Sequence, residues 1–351
     1  MGIAAVIDTH PIASIPSDPL HAGEPLNAGP PDAAERRRDV EEVPLSTPLR
    51  LRVMLPLLLA ASTAGAQQPP SLPSSIVSST STLSAKDSQT VAAYASAWSE
   101  VLKSGEPRDV NRARAELVGP ARSPSATPIF VNAYSGAVLG AVAPVAAGED
   151  DFRSINALQV IRFLRTPEAV DAILSHADPQ TESSASIRLV AAGLLGAAIS
   201  DAAMNPAQLD GVTRRVASLA AVEADWMTLL QFMETLDAIA GLKGLPAPSV
   251  ELARRSQVAT LESTLRRATS EGGDPRLAEA LYRGLLELRN QMLRLGASQR
   301  ATFASQFGPV FASIETTTKS AAAAAGVSPE AKASLERTAT LAQQLAGLSK
   351  S

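Results

Sequence analysis

The sequence predicts an all-α chain, and three observations carry that reading. Apolar residues make up 45% of the 351 positions, yet only 3% are aromatic. Apolar content drawn mainly from Ala, Leu, Val and Ile suits closely packed helices better than a sheet sandwich, which draws on β-branched and aromatic side chains. Apolar positions also recur at helical spacing, as in Trp226, Leu229, Leu230, Met233, Leu236 and Ile239, while strand-like alternation is nearly absent. Finally, helix-start signals recur at Thr166-Pro167, Asn205-Pro206, Asp274-Pro275 and Ser328-Pro329. Each sets a capping side chain before a proline at the first helical position, where the missing N–H costs nothing.

The N-terminal residues read differently. Residues 1–48 hold eight prolines and no sustained period. Such a segment cannot bury enough apolar surface to offset chain entropy, so it reads as a disordered extension or a mis-assigned start. Residues 49–66 read as a signal peptide. Arg50 and Arg52 precede the apolar run Val53–Ala61, and Ala64-Gly65-Ala66 follows it. A secretory core needs roughly 7–15 apolar residues and a small-residue cleavage site, whereas a membrane span needs about 20. Cleavage is expected after Ala66, giving an exported protein, periplasmic or extracellular. Arg36-Arg37-Arg38 lies too far upstream for a twin-arginine signal, and Glu41 and Glu42 intervene.

Residues 67–88 read as a Pro/Ser/Thr linker, and the helical body as 89–316. Its helices are expected near 89–103, 109–118, 127–142, 152–164, 167–176, 185–200, 206–222, 225–241, 249–269, 275–295 and 298–315. Gly308-Pro309 should kink or break the last of these. The apolar runs Gly136–Gly148 and Leu189–Ile199 are too short to cross a bilayer, so no stable membrane span is expected in the mature chain. Residues 317–328 read as an Ala/Thr linker. A C-terminal helix over 329–348 follows, either capping the array or projecting toward a partner.

Residues Ala169 to Pro179, followed by Ile187-Arg-Leu-Val-Ala-Ala-Gly-Leu-Leu-Gly196, resemble a HEAT-repeat unit, in which an aliphatic helix runs through Asp-Pro into a second helix of the form Val-Arg-x-x-Ala-Ala-x-x-Leu-Gly. Ala157–Val170 resembles the junction between helices of short HEAT-like repeats. The resemblance covers about 155–199 and implies a HEAT-like helix-pair solenoid whose stacked pairs bury each other's apolar stripes. Thr181 to Ser184 look inserted in this unit. Helices opening near Ile155, Ile187, Met227 and Leu277 read as first members of pairs at spacings of 32, 40 and 50 residues. This irregularity leaves an irregular helical bundle as the alternative. Ala191, Ala192, Gly193 and Gly196 would permit close helix approach.

Composition and motifs act mainly by exclusion. With no cysteine there is no disulfide, thiolate nucleophile or thiolate metal site. Beyond Ala66 the chain holds 27 acids and 26 bases, which is no electrostatic footprint for nucleic acid. His176 is the only histidine beyond the signal, and its place beside Asp178-Pro179 at a helix end fits a capping or surface role better than catalysis. Glu149-Asp150-Asp151 precedes a helix start, where acids favour the dipole, rather than forming a metal or paired-carboxylate site. Arg254, Arg255, Arg266 and Arg267 share a helix with Glu251 and Glu262 at i,i+4 spacing, which reads as a solvated, salt-laced face. Phe303, Phe307 and Phe311 form a core stripe. No nucleotide-binding or hydrolase motif occurs. No catalytic, cofactor-binding or metal-binding residue is therefore assigned, and no cofactor is implied. The expected function is an exported, non-enzymatic helical repeat protein that binds or scaffolds protein partners in the cell envelope. The alternative is an envelope hydrolase or lyase using carboxylates in a groove of a helical scaffold.

Overall fold

The computed structural model describes residues 69–270 and 273–348. The leader and signal readings for residues 1–66 lie outside them. The described residues form thirteen α-helices and one 3-10 turn, with no strand. They are α1 (Ser74–Val77), α2 (Ala85–Ser104), α3 (Pro107–Arg122), α4 (Pro128–Ala146), α5 (Asp151–Ile161), α6 (Pro167–His176) and α7 (Ala185–Asp201). Then come α8 (Pro206–Val222), α9 (Trp226–Ala240), α10 (Ala247–Ala268), α11 (Pro275–Arg294), α12 (Ala297–Ala323) and α13 (Pro329–Leu348).

The helices start where short polar side chains can cap them. Thr127, Thr166 and Asn205 each accept a hydrogen bond from the backbone N–H three residues on, at Phe130, Ala169 and Gln208. Asn205 and Gln208 complete a reciprocal capping box. Each cap precedes a proline at the first helical position, and those prolines, Pro128, Pro167 and Pro206, are spaced 39 residues apart. The burial pattern repeats with them. Tyr134 with Ser135, Ile173 with Leu174, and Val212 with Thr213 occupy the same two turns after each start and are all buried.

Packing follows the same rhythm. Each even-numbered helix from α2 onward packs against the odd-numbered helix that follows it. The odd-numbered helices also pack on one another in order, α3 on α5, α5 on α7, α7 on α9, α9 on α11 and α11 on α13. Pairs therefore open at α2, α4, α6, α8, α10 and α12. The sequence reading took α5, α7, α9 and α11 as first members; α5, α7 and α11 pack mainly on the preceding helix instead, whereas α9 packs on both α8 and the expected partner α10. That reading placed a helix over 127–142 without naming Thr127-Pro128 as the first of the equally spaced caps.

Other boundaries shift for local reasons. The stretch 67–88 is not all linker. It contains α1 and the first turn of α2, whose N-cap Ser84 accepts from Asp87 N–H at 3.1 Å. Thr127 O–H donates to the Ser79 carbonyl, so this segment is tied to the start of α4. The expected break at Gly308-Pro309 does not occur, and α12 continues to Ala323 through most of the Ala/Thr segment expected as a linker. An internal proline costs about 3 kcal/mol. Here Phe303, Phe307, Phe311 and Ile314 are all buried along the same helix, which outweighs it. α13 packs on α11 and α12 through Leu335, Ala342 and Leu345, so it closes the array rather than projecting from it. Starting from Pro128, α4 is 19 residues long and is the one described helix long and apolar enough to cross a membrane. The shorter run counted from the sequence understated its length. In the structure it packs against α2 and α5, burying Phe130, Tyr134, Val138 and Val142.

Among the described glycines, Gly284 of α11 has the tightest contact with neighbouring helices. A Cβ there would sit 2.3 Å from Met233 Sδ and 2.9 Å from Leu261 Cδ2, both in fully buried residues. Of the small residues singled out in α7, Ala191 and Ala192 are buried, but Gly193 is exposed and Gly196 would accept a Cβ at ordinary contact distance.

At the end of α8 the side chain of Glu223 has no solvent exposure. Its Oε2 accepts from Arg188 Nε of α7 at 3.1 Å, and its Oε1 from the N–H of Asp225, the N-cap of α9, at 2.8 Å. Its main-chain carbonyl accepts from Arg267 of α10 at 2.6 Å.

Two predictions follow from this packing. Gly284→Val should destabilise the protein by roughly 1–3 kcal/mol through overpacking, whereas Gly140→Ala, on the open face of α4, should stabilise it by up to about 1 kcal/mol; chemical denaturation measures both. Glu223→Ala should cost about 3–5 kcal/mol by stranding Arg188, and the apolar pair Glu223→Leu/Arg188→Met should cost less than Glu223→Ala alone.

Candidate functional site

The odd-numbered helices form one layer of the packing, and three grooves lie along it. The first runs between α3, the end of α5 and α7, and has a volume of about 500 Å³. The second lies among α7, α9, α10 and α11 and measures about 370 Å³. The third lies between α11 and α13, at about 560 Å³, beside Tyr282, Arg289 and Arg337. They exist because helices of alternating large and small side chains leave furrows between neighbours, with polar residues on the furrow edges.

The grooves differ in charge. In the first, Arg114, Arg122 and Arg162 face apolar Val118, Phe163 and Leu194, and no acid lines it. The second centres on Asp237. Burial pushes its carboxyl above the usual range, with neighbouring Glu287 and Glu234 adding to the rise and Arg294 opposing it. Burial likewise raises Glu234, with Glu287 adding and a hydrogen bond from Gln231 opposing. Gln291 donates to Asp237 and, at 3.0 Å, to Gln257 Oε1. Glu336 lines the third together with Arg289 and Arg337. Outside its lining, Glu279 accepts from Arg283, Ser334 and Arg337, and these bonds hold its carboxyl below the usual range despite partial burial.

The residues singled out in the sequence lie mostly elsewhere. His176 ends α6 with its Nδ1 3.1 Å from Glu182 Oε2, both side chains largely shielded from solvent. Glu182 belongs to the segment that looked inserted, and that segment closes the turn: Ser184 caps α7, and Thr181 O–H donates to the Ser175 carbonyl at 2.6 Å. Of the acidic trio, Asp150 is the N-cap of α5, and the backbone N–H of Arg153 leads in lowering its carboxyl. Asp151 accepts from Ser186 and Ser184 at the start of α7, which lowers it too. Glu149 is exposed.

The four arginines of α10 do not form one salt-laced face. Arg255 pairs with Glu251 at 2.6 Å, but among the described residues Glu262 and Arg266 make no ion pair. Arg267 turns inward to Glu223, and Arg254 lies over the Phe303 ring at 5.6 Å and reaches the second groove. Phe303, Phe307 and Phe311 are core residues, with Phe303 4.7 Å from Phe307 and 6.4 Å from Phe311, centroid to centroid. Sequence reasoning missed Arg114, Arg122, Arg162 and Asp237. They come from three different helices, and only the layer packing brings them to furrow edges.

The raised Asp237 carboxyl gives a pH prediction. A folded-state pKa above the unfolded value contributes stability below the unfolded pKa, and that contribution is lost as pH rises through the folded one. Asp237→Asn should therefore gain stability over wild type at pH 7, with the difference shrinking as pH falls through the raised folded value and gone below about 4, the model-peptide value for Asp. Paired thermal melts across pH 3–7 check it, and a difference independent of pH would show that the carboxylate is not the cause.

No protein-family model, no curated protein and no solved structure matches this chain.

Proposed function

We propose that this chain is an exported, non-enzymatic α-helical repeat protein of HEAT-like solenoid design that binds or scaffolds protein partners in the cell envelope. The observation that carries the reading is the ordered stacking of odd-numbered helices into one layer with three grooves along it. Stacked helix pairs use such a layer as an extended binding surface. The equal 39-residue spacing of the first-helix starts at α4, α6 and α8 supports the repeat design. The mature chain in this proposal starts at Gln67, spans no membrane, binds no nucleic acid and needs no cofactor. The motif search supports the non-enzymatic part, because no hydrolase or nucleotide-binding motif occurs in the sequence.

A hydrolase or lyase reading rests on Asp237, Glu234 and Glu287. A general acid works best with a raised pKa in a groove. It ranks second because Asp237 is already engaged by Gln291 and faced by Arg294.

The deciding experiment is in-cell photocrosslinking from Gln159, Gln231 and Gln344 on the odd-numbered layer, with exposed Lys86 of α2 and Arg214 of α8 as controls. Shared protein adducts from the layer positions and none from the controls are expected. Adducts at the controls alone, or none anywhere, would overturn the binding proposal. N-terminal sequencing of the mature protein should begin at Gln67.

A further inference from the structure

The first groove carries an inference beyond protein binding. Three guanidinium groups line it and no carboxylate does. Surface arginines on helices usually lie beside acids one turn away, and these do not. Arg114 is held instead by neutral amides, with Nη1 donating to Asn156 Oδ1 at 2.9 Å and to Gln159 Oε1. Arg162 alone has an acidic partner, Asp201 at 3.4 Å, which lies outside the lining. Arg122 has no carboxylate in ion-pair range among the described residues.

The arginines are also held in place. The guanidinium carbons of Arg162 and Arg122 lie 4.2 and 5.2 Å from the centroid of the Phe163 ring, a cation–π arrangement that restrains both forks beside one aromatic face. Planar guanidinium forks restrained in this way suit two-point recognition of a carboxylate. Below them Val118, Phe163 and Leu194 supply an apolar wall. A volume of about 500 Å³ falls in the range of small-molecule sites.

We propose that this groove binds a small amphipathic carboxylate, its anionic end on Arg114, Arg122 and Arg162 and its aliphatic or aromatic body against Val118, Phe163 and Leu194. The surplus of positive charge selects the carboxylate, and the apolar wall selects against short hydrophilic anions such as acetate. The proposal does not depend on a protein partner, so either reading can fail without the other.

Isothermal titration of the full chain with octanoate tests it, with octanol as the uncharged analogue and acetate as the anion without a body. Saturable one-to-one binding of octanoate is expected, with octanol and acetate each weaker by about tenfold or more, the equivalent of about 1.4 kcal/mol. Arg122→Gln, at an exposed position, should weaken octanoate by a similar factor, and Arg114→Gln/Arg122→Gln further. Arg255→Gln, on the far helix α10, should leave binding unchanged. Thermal melts of the variants confirm that they fold. Equal binding of octanoate and octanol, an unchanged Kd in the double variant, no saturable binding, or binding of acidic peptides but not octanoate would each overturn the proposal.

Discussion

Four helices of this protein meet at one buried residue, Glu223. Glu223 lies at the end of α8, bonded to Arg188 of α7 and to the N-cap backbone of α9, while its carbonyl receives Arg267 of α10. Removing a carboxylate and a guanidinium from water costs several kcal/mol each, and attraction in a low-dielectric interior repays that only when every polar contact is satisfied. Here both carboxylate oxygens are engaged, and Arg188 Nη1 donates to the Glu182 and Ser183 carbonyls as well. The junction is therefore specific rather than merely strong. A different angle between α7 and α9 would strand charged groups in the core. It also stands at the end of the equally spaced helix starts, since α10 and α12 follow at longer intervals than Pro128, Pro167 and Pro206.

Helix positions were legible in the sequence because their causes are local. A capping side chain, a first-position proline and a 3.6-residue apolar period all act within about one turn to a few turns. α6 and α8 therefore came out with their observed bounds, Pro167–His176 and Pro206–Val222. Pairing was less legible because it is a tertiary choice. α5 has a sequence neighbour on each side, and the fold packs it mainly on α4 rather than on α6, a choice that no local signal in α5 makes. The signal that would have fixed the phase was nonetheless present. Thr127-Pro128 repeats the capped start of Thr166-Pro167 and Asn205-Pro206 at equal spacing. The opposite error occurred at Pro309, where a local breaker rule lost to three buried phenylalanines whose burial no local rule contains.

The candidate site was barely legible, for a related reason. Arg114, Arg122 and Arg162 are separated along the chain and read individually as ordinary surface residues. The visible arginine cluster on α10 drew attention instead. Its members disperse to an i,i+4 pair, a ring face and a buried carbonyl. Charge clustered in sequence is spread around a helix by its 100° step, whereas charge clustered in space comes from residues on neighbouring helices that share a furrow. Arg188, by contrast, reads in the sequence as a single helix residue, and the fold uses it to hold Glu223.

These two facts, a stacked layer and a charged junction within it, set how sites on the protein can influence one another. In a stack each helix pair rests mainly on its neighbours, so stability is close to a sum of pair terms and neighbour terms. The arginine groove depends on α3, α5 and α7, and the Asp237 groove on α7, α9, α10 and α11. Their common element is α7, whose first turn carries Arg188. α7 thus reaches the first groove through Leu194, the second through Ser200 and the Glu223 junction through Arg188. That junction tolerates little intermediate geometry, because partial displacement leaves buried charges without partners.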